Sequence, residues 1–272
     1  MGRLAIISGK GPQPADIAKS ARDRGEAPLI IRIKQHCEDS FAECEVADFA
    51  IGELGAAISH IKSAGCDRVV FAGLVTRPPL NPLALDKEAY KLLGKVLLKG
   101  DNSALEAVAD YFESHQIKVL PQSSFLDDRF LPKQFHQGRA LEQIEIQSAQ
   151  RAIATLRALG QLDIGQSVVA QGDRILAIEA AEGTDEMIAR STPLIQTDCP
   201  SAVFVKMAKS GQNLAFDPPG FGEHTIKQLT SAGIKIAVIE PEHVFLTQER
   251  ETLLALAERC GIVLVSTDMV AE

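Results

Sequence analysis

The chain has 272 residues, enough for a full hydrophobic core and for two domains. Its net charge of −8 and its lack of Trp count against nucleic acid as a partner, since phosphate binding needs a basic face and single-strand binding needs stacking aromatics. Cys37, Cys44, Cys66, Cys199 and Cys260 form no Cys-x-x-Cys pair, and Cys37 and Cys44, seven apart, have no histidine partners at zinc-like spacing. That points to a reducing compartment and away from a thiolate metal centre. The apolar run at 4–7, after Arg3, is too short for a signal-peptide core or a membrane span, and no other run approaches spanning length.

In chain order, residues 4–8 read as a strand that ends in Gly9-Lys10-Gly11-Pro12. A helix is predicted over 14–24, with Ile17, Ala18 and Ala21 on one face. Residues 29–33 read as a strand and 47–50 as a weaker one. Leu54, Ala57, Ile58 and Ile61 show the i, i+3, i+4, i+7 spacing of a helix, which Gly65 ends. A strand over 68–72 stops at Gly73, and a Pro- and Leu-rich loop follows over 78–85. Asp101-Asn102-Ser103 can cap a helix carrying Leu105, Val108, Ala109 and Phe112, and 117–120 reads as the next strand. Strand and helix alternating at this rhythm imply parallel pairing with crossover helices. The expected fold class is therefore α/β, with a Rossmann-like parallel sheet over residues 1–125.

The pattern is lost from residue 121, and 126–140 is expected as a linker. A second, mixed α/β domain is expected over 141–272. It opens with a helix over 141–159 and a hairpin of 167–170 and 175–179 around Gln171-Gly172-Asp173-Arg174. A short helix at 184–190 and a strand at 202–207 come next. A helix at 225–232, a strand at 235–239, an edge strand at 243–246, a helix at 248–259 and a strand at 263–266 complete it.

Several stretches carry chemistry. Gly9-Lys10-Gly11 lies between a strand and a helix, where backbone N–H groups can approach a phosphate, although Pro14 stands where a dinucleotide fingerprint has its third glycine. A plain tight turn explains it nearly as well. Arg77, just beyond Gly73 at the carboxyl end of a strand, can clamp a phosphate or simply lie on the surface. Lys99-Gly100-Asp101 is a turn with an N-cap, or an anion contact. Glu179, Glu182, Asp185 and Glu186 crowd around Gly183 and Thr184, and oxygen ligands of this kind suit Mg²⁺. Thr184 can cap the following helix, which explains that residue but not the crowd of acids around it. Lys206, Lys209 and Gln212 lead to Asp217-Pro218-Pro219, where the prolines stiffen the chain around a carboxylate fit for a general base or a metal ligand. His224 is the histidine nearest to that loop in sequence.

In their order and spacing, these stretches resemble a known family. Leu4-Ala5-Ile6-Ile7-Ser8-Gly9-Lys10-Gly11, Ile51-Gly52-Glu53-Leu54-Gly55, Gly73-Leu74-Val75-Thr76-Arg77-Pro78, Leu162-Asp163-Ile164-Gly165-Gln166, Glu182-Gly183-Thr184-Asp185 and Lys206-Met207-Ala208-Lys209 are similar to those of the LpxI-type UDP-2,3-diacylglucosamine pyrophosphatases. The resemblance runs over nearly the whole chain. It implies hydrolysis of UDP-2,3-diacylglucosamine to 2,3-diacylglucosamine 1-phosphate (lipid X) and UMP in lipid A biosynthesis. Water would attack the β-phosphorus, Mg²⁺ would be required, and the ligand would lie between the two domains. It also implies a cytoplasmic protein in transient contact with the inner membrane surface, with a homo-oligomer left open. Asp217, Glu182 and Asp185 are then the expected catalytic carboxylates, with Asp217 and Asp185 as metal ligands. Gly9, Gly11, Pro12, Gly73, Arg77, Lys99, Asp101, Thr184, Lys206, Lys209, Gln212 and Thr225 are the expected substrate contacts. The chain departs from the family pattern at Asn213 and Ala215, where the family carries an acid and an arginine. A non-catalytic binder of lipid X or of a nucleotide-sugar lipid is the alternative reading.

Overall fold

The computed structural model describes residues 2–34, 41–75, 84–96, 101–212, 214–215 and 218–270, with the side chains of 94–96 and 101–106 outside the description. Two compact units result: Met1–Leu126 with Asn213–Asp217, and Asp127–Gln212 with Pro218–Glu272.

Short β-branched runs build the first sheet. Strands β1 (Arg3–Ser8), β2 (Leu29–Ile33), β3 (Glu45–Phe49), β4 (Cys66–Ala72) and β5 (Lys118–Leu120) pair in the order β3-β2-β1-β4-β5. All four pairings are parallel, as the strand–helix alternation implies. Central β1 is apolar and buried on both faces, the mark of a covered parallel strand. Helices α1 (Gln13–Asp23) and α2 (Leu54–Ser63) bury the residues at helical spacing, Ile17, Ala18 and Ala21 on one and Ala57, Ile58 and Ile61 on the other. Helix α4 (Asp101–Ser114) lies where its caps predict.

Helix α3 (Lys87–Val96) is not among the expected elements, because the Pro-rich run before it masks its start. Asp86 explains that start. Its Oδ1 accepts the Glu88 and Ala89 N–H groups at 3.1 and 2.8 Å, while its Oδ2 accepts those of Gly55 and Ala56 at 2.6 and 3.3 Å. One carboxylate therefore satisfies the open N-termini of both α3 and α2.

The second unit contains β6 (His136–Gln137), α5 (Gln143–Gly160), β7 (Ser167–Gln171), β8 (Arg174–Ile178), α6 (Gly183–Ser191) and β9 (Val203–Lys206). It continues with β10 (Gly220–Phe221), α7 (Glu223–Ser231), β11 (Ile236–Ile239), β12 (Phe245–Leu246), α8 (Arg250–Arg259) and β13 (Val263–Ser266). Its six-stranded sheet runs β6-β13-β11-β9-β7-β8. The pairs β13–β11 and β11–β9 are parallel, and the hairpin and edge pairs are antiparallel, so the sheet is mixed. Alternate strand residues feed two apolar layers. Val203, Val205, Val238 and Val265 pack with Ala149, Ala152, Ile153 and Leu156 of α5. Phe204, Ala237 and Leu264 pack with Met187, Ile226, Leu229 and Leu253 of α6, α7 and α8.

Residues 126–140, expected as a linker, carry structure of the second unit from Asp127 onward. Leu131 is buried in its core, β6 pairs with β13, and the Gln134 N–H donates to Asp268 Oδ2 at 2.7 Å. The polar composition that suggests a linker instead serves these turns. The strand expected at 243–246 forms as β12, but it pairs in parallel with β10 in a separate two-stranded ladder. No helix of the described residues is long and apolar enough to cross a membrane.

Candidate active site

In open α/β sheets, ligands gather at the carboxyl ends of the parallel strands. In the second unit that edge begins at Lys206 and Ile239, register partners at the ends of β9 and β11. Lys206 is only 4% exposed. Its Nζ donates to Thr184 Oγ1 at 2.7 Å, and Thr184 Oγ1 donates to Glu179 Oε2 at 3.0 Å. Burial pulls the ammonium pKa down from the usual lysine range, while the nearby Glu179 and Asp185 carboxylates oppose that shift.

Thr184 does not cap α6. Glu182 occupies the N-cap position without a side-chain cap bond, and Thr184 lies in the first turn with its hydroxyl turned to Lys206. A carboxylate in a first turn is favoured by the positive helix end, and Asp185 sits there. Its Oδ2 is 3.2 Å from His224 Nε2 of α7, and its side chain is about half exposed (52%). Glu182 is committed elsewhere: Arg190 Nη2 binds its Oε1 at 2.7 Å. Its own backbone amide and then Arg190 hold its carboxyl below the usual range.

Glu240 follows β11 directly. Its N–H donates to the Lys206 carbonyl at 3.0 Å, and its Oε2 accepts the Ala208 N–H at 2.8 Å. Sequence reading missed this residue, although an acid placed immediately after a buried parallel strand was a usable signal. Beside it, Gln212 Oε1 accepts from Gln166 Nε2 at 2.8 Å and from the Lys209 N–H at 3.0 Å. Lys209 Nζ binds Asp163 Oδ1 at 2.7 Å. Lys209 and Gln212, expected as substrate contacts, thus join the 163–166 turn to the segment that leads toward Asp217. Gly165 makes that turn feasible: its φ is +63°, and a Cβ there would lie 2.1 Å from the Glu179 carbonyl oxygen. Thr225 is buried along α7.

The first unit gathers its expected residues differently. The Lys10 N–H donates to the Leu74 carbonyl at 2.9 Å, and the Leu74 N–H returns to the Lys10 carbonyl at 2.8 Å. A Cβ on Gly9 would meet the Leu74 oxygen at 2.7 Å, and one on Gly73, whose φ is +82°, would meet the Lys10 oxygen at the same distance. These two glycines therefore let the loops after β1 and β4 touch. Gly11 has φ +108°, and Pro12 holds the N-cap position of α1 without a side-chain cap bond. Asp101 opens α4, but its side chain lies outside the described residues, as do Arg77, Lys99 and Asp217 entirely.

Among the described residues, no three His, Cys, Asp or Glu side chains converge to hold a metal. A cavity of about 420 Å³, lined in part by Gln137, Arg139, Lys235 and Ile262, opens at the amino ends of β11 and β13, away from the Lys206 cluster.

Fold and site define an α/β protein with a parallel and a mixed sheet, and with a lysine–carboxylate cluster at the carboxyl edge of the second. Residues 3–129 match the LpxI N-terminal domain and residues 132–265 the LpxI C-terminal domain, so the chain belongs to the LpxI family. It is 30% identical over 277 residues to the UDP-2,3-diacylglucosamine pyrophosphatase LpxI of Caulobacter vibrioides, covering 98% of both chains. Likeness to solved structures is loose. The Bordetella bronchiseptica enzyme WbmG in complex with NAD and UDP aligns over 43% of this chain and 35% of its own, at 16% identity and a TM-score of 0.29. An L-amino acid ligase from Bacillus licheniformis aligns over 67% and 40%, at 12% identity and a TM-score of 0.26.

Proposed function

We propose that this chain hydrolyses UDP-2,3-diacylglucosamine to lipid X and UMP, a step of lipid A biosynthesis. The observation that carries this reading is the full-length likeness to the Caulobacter protein, 30% identical across 98% of both chains. In the proposed reaction, water adds to the phosphorus that bears the sugar. The bridging P–O bond breaks and its oxygen leaves with UMP. Mg²⁺ dependence, a ligand held between the two domains, and contact with the inner membrane surface are parts of the same proposal. Bound Mg²⁺ would neutralise charge on the diphosphate and stabilise the leaving oxygen.

Asp185 is the described carboxylate that fits such an ion. It is half exposed at the carboxyl edge of the sheet, and Mg²⁺ commonly takes only one or two carboxylates beside phosphate oxygens and water. Glu182 fits less well, because Arg190 already holds it. His224 Nε2 lies 3.2 Å from the Asp185 carboxylate and 2.8 Å from Gln228 Nε2 on the same helix. Asp217 is proposed as the catalytic carboxylate and second metal ligand on the strength of the family resemblance. Gln212, pinned by Gln166 and the Lys209 N–H, anchors the start of the segment that carries it.

UMP release from UDP-2,3-diacylglucosamine, measured with Mg²⁺ and with EDTA, tests the reading. Asp217→Ala should lower kcat about 100-fold or more, the scale of losing a group that stabilises the transition state. Undiminished turnover would remove Asp217 from the mechanism. Tight lipid X binding with no UMP release from the unaltered chain would move the assignment to a non-catalytic binder. Asn213 and Ala215, which stand in place of an acid and an arginine, favour that second reading.

A further inference from the structure

Lys206 ends a strand that is otherwise wholly apolar, Val203-Phe204-Val205, and it is buried with them. A buried ammonium is costly unless it is paired and hydrogen-bonded, and a methionine would fill the same space without that cost. A lysine exposed on the site's surface would serve to bind phosphate, but Lys206 is turned inward. Its ammonium donates one N–H to Thr184 Oγ1 at 2.7 Å, and the single hydroxyl proton of Thr184 goes on to Glu179 Oε2 at 3.0 Å. Three chain segments meet at that hydroxyl. Lys206 comes from β9, held on either side by β11 and β7. Thr184 comes from the first turn of α6. Glu179 follows β8, and its N–H is fixed to the Ser167 carbonyl at 2.9 Å. The next residue after Thr184 is Asp185, which faces His224.

We propose that Lys206 is a positioning residue that acts through Thr184 to hold the first turn of α6, and with it Asp185, against the carboxyl end of β9, without touching substrate phosphate itself. The inference rests on the pyrophosphatase reading for its kinetic test and stands apart from it for its structural one. Glu179 and Asp185 supply the negative charge that keeps the buried ammonium in place. Thr184 is the coupling group because its hydroxyl both accepts from the lysine and donates to Glu179.

The test uses the full chain with Lys206→Met, Thr184→Val, Thr184→Ser and the Lys206→Met/Thr184→Val double variant. In UMP release, Lys206→Met and Thr184→Val should each lower kcat about 10- to 100-fold with KM changed less than about threefold, as for a misplaced reacting group. Thr184→Ser should recover most of the loss, and the double variant should be no worse than Lys206→Met alone. A rise in KM at constant kcat would make Lys206 a direct substrate contact and overturn the proposal, as would additive losses. Hydrogen exchange over 183–187, read by mass spectrometry without substrate, gives the arm that is independent of activity. Exchange should rise about tenfold in Thr184→Val but not in Thr184→Ser. Unchanged exchange overturns the positioning role. Absence of UMP release from the unaltered chain, together with faster exchange in Thr184→Val, would sink the pyrophosphatase reading and leave the clamp standing.

Discussion

The two units organise the carboxyl edges of their sheets by different means. In the first, backbone meets backbone: the loops after β1 and β4 exchange two N–H to carbonyl bonds because Gly9 and Gly73 carry no Cβ. In the second, side chains do the joining, through Lys206, Thr184 and Glu179 and through Gln166 and Gln212. A backbone edge of this kind holds its loops with little dependence on the other side chains, because the Gly9, Lys10 and Leu74 N–H groups all bond to carbonyls of the same unit. A side-chain edge places individual carboxylates, and it is correspondingly easier to redirect by substitution.

The largest expected effect tests the backbone edge. Gly73→Ala puts a Cβ 2.7 Å from a carbonyl oxygen at a φ of +82°, and it should destabilise the chain by about 3 kcal/mol in urea unfolding. An unchanged midpoint would break the contrast, since the loops would then not need to touch.

The next effect tests a side-chain pair of the second unit. Arg139 binds both carboxylate oxygens of Glu145, at 2.8 and 2.6 Å, and the Glu145 side chain is 1% exposed. Burial raises the Glu145 pKa, but the Arg139 guanidinium and the Glu142 N–H outweigh it and hold the carboxyl below its usual range. Arg139→Met should cost about 2 kcal/mol at pH 7, less than for a fully buried pair because Arg139 is half exposed. A lowered folded pKa means the stabilisation is present above the unfolded value and lost as pH falls through the folded one. The unfolding free energies of variant and unaltered chain should therefore converge in acid. A gap that persists there would point to packing rather than charge.

The smallest effect comes from Asp86, a side chain that does the organising in the backbone-dominated unit. Asp86→Ala uncaps α2 and α3 together and should cost about 1–2 kcal/mol by thermal unfolding. Asp86→Asn should cost less, since the amide oxygen can still accept.

Much of this was legible beforehand. The spacing of Leu54, Ala57, Ile58 and Ile61 located α2, and the strand–helix rhythm gave the parallel first sheet. Hydrophobic period reports burial, and these elements bury one face. Helix α3 escaped because its N-terminal signal, Asp86, follows a proline-rich run and serves a partner helix about thirty residues away in sequence. The β10–β12 ladder escaped because two-residue strands carry no period. At the site, composition marked the acids around Thr184 but not their partners. Nothing local told that Lys206 points inward, that Glu182 belongs to Arg190, or that Lys209 is held by Asp163, because each partner lies across the sheet or a turn away.

The pairing of β6 with β13 has a consequence for synthesis. Strand β13 lies between β6 and β11, so it is needed both to seat the edge strand and to complete the parallel run. A ribosome delivers the chain from its N-terminus at about 5–20 residues per second, and domains generally fold as they emerge. The first sheet is complete once Leu120 is out. The second must wait until Ser266 has cleared the exit tunnel, with one hydrogen-bonding edge of β11 unpaired until then. During that interval the nascent chain is a finished five-stranded sheet trailing an unfinished six-stranded one, with exposed apolar surface of the kind that chaperones cover.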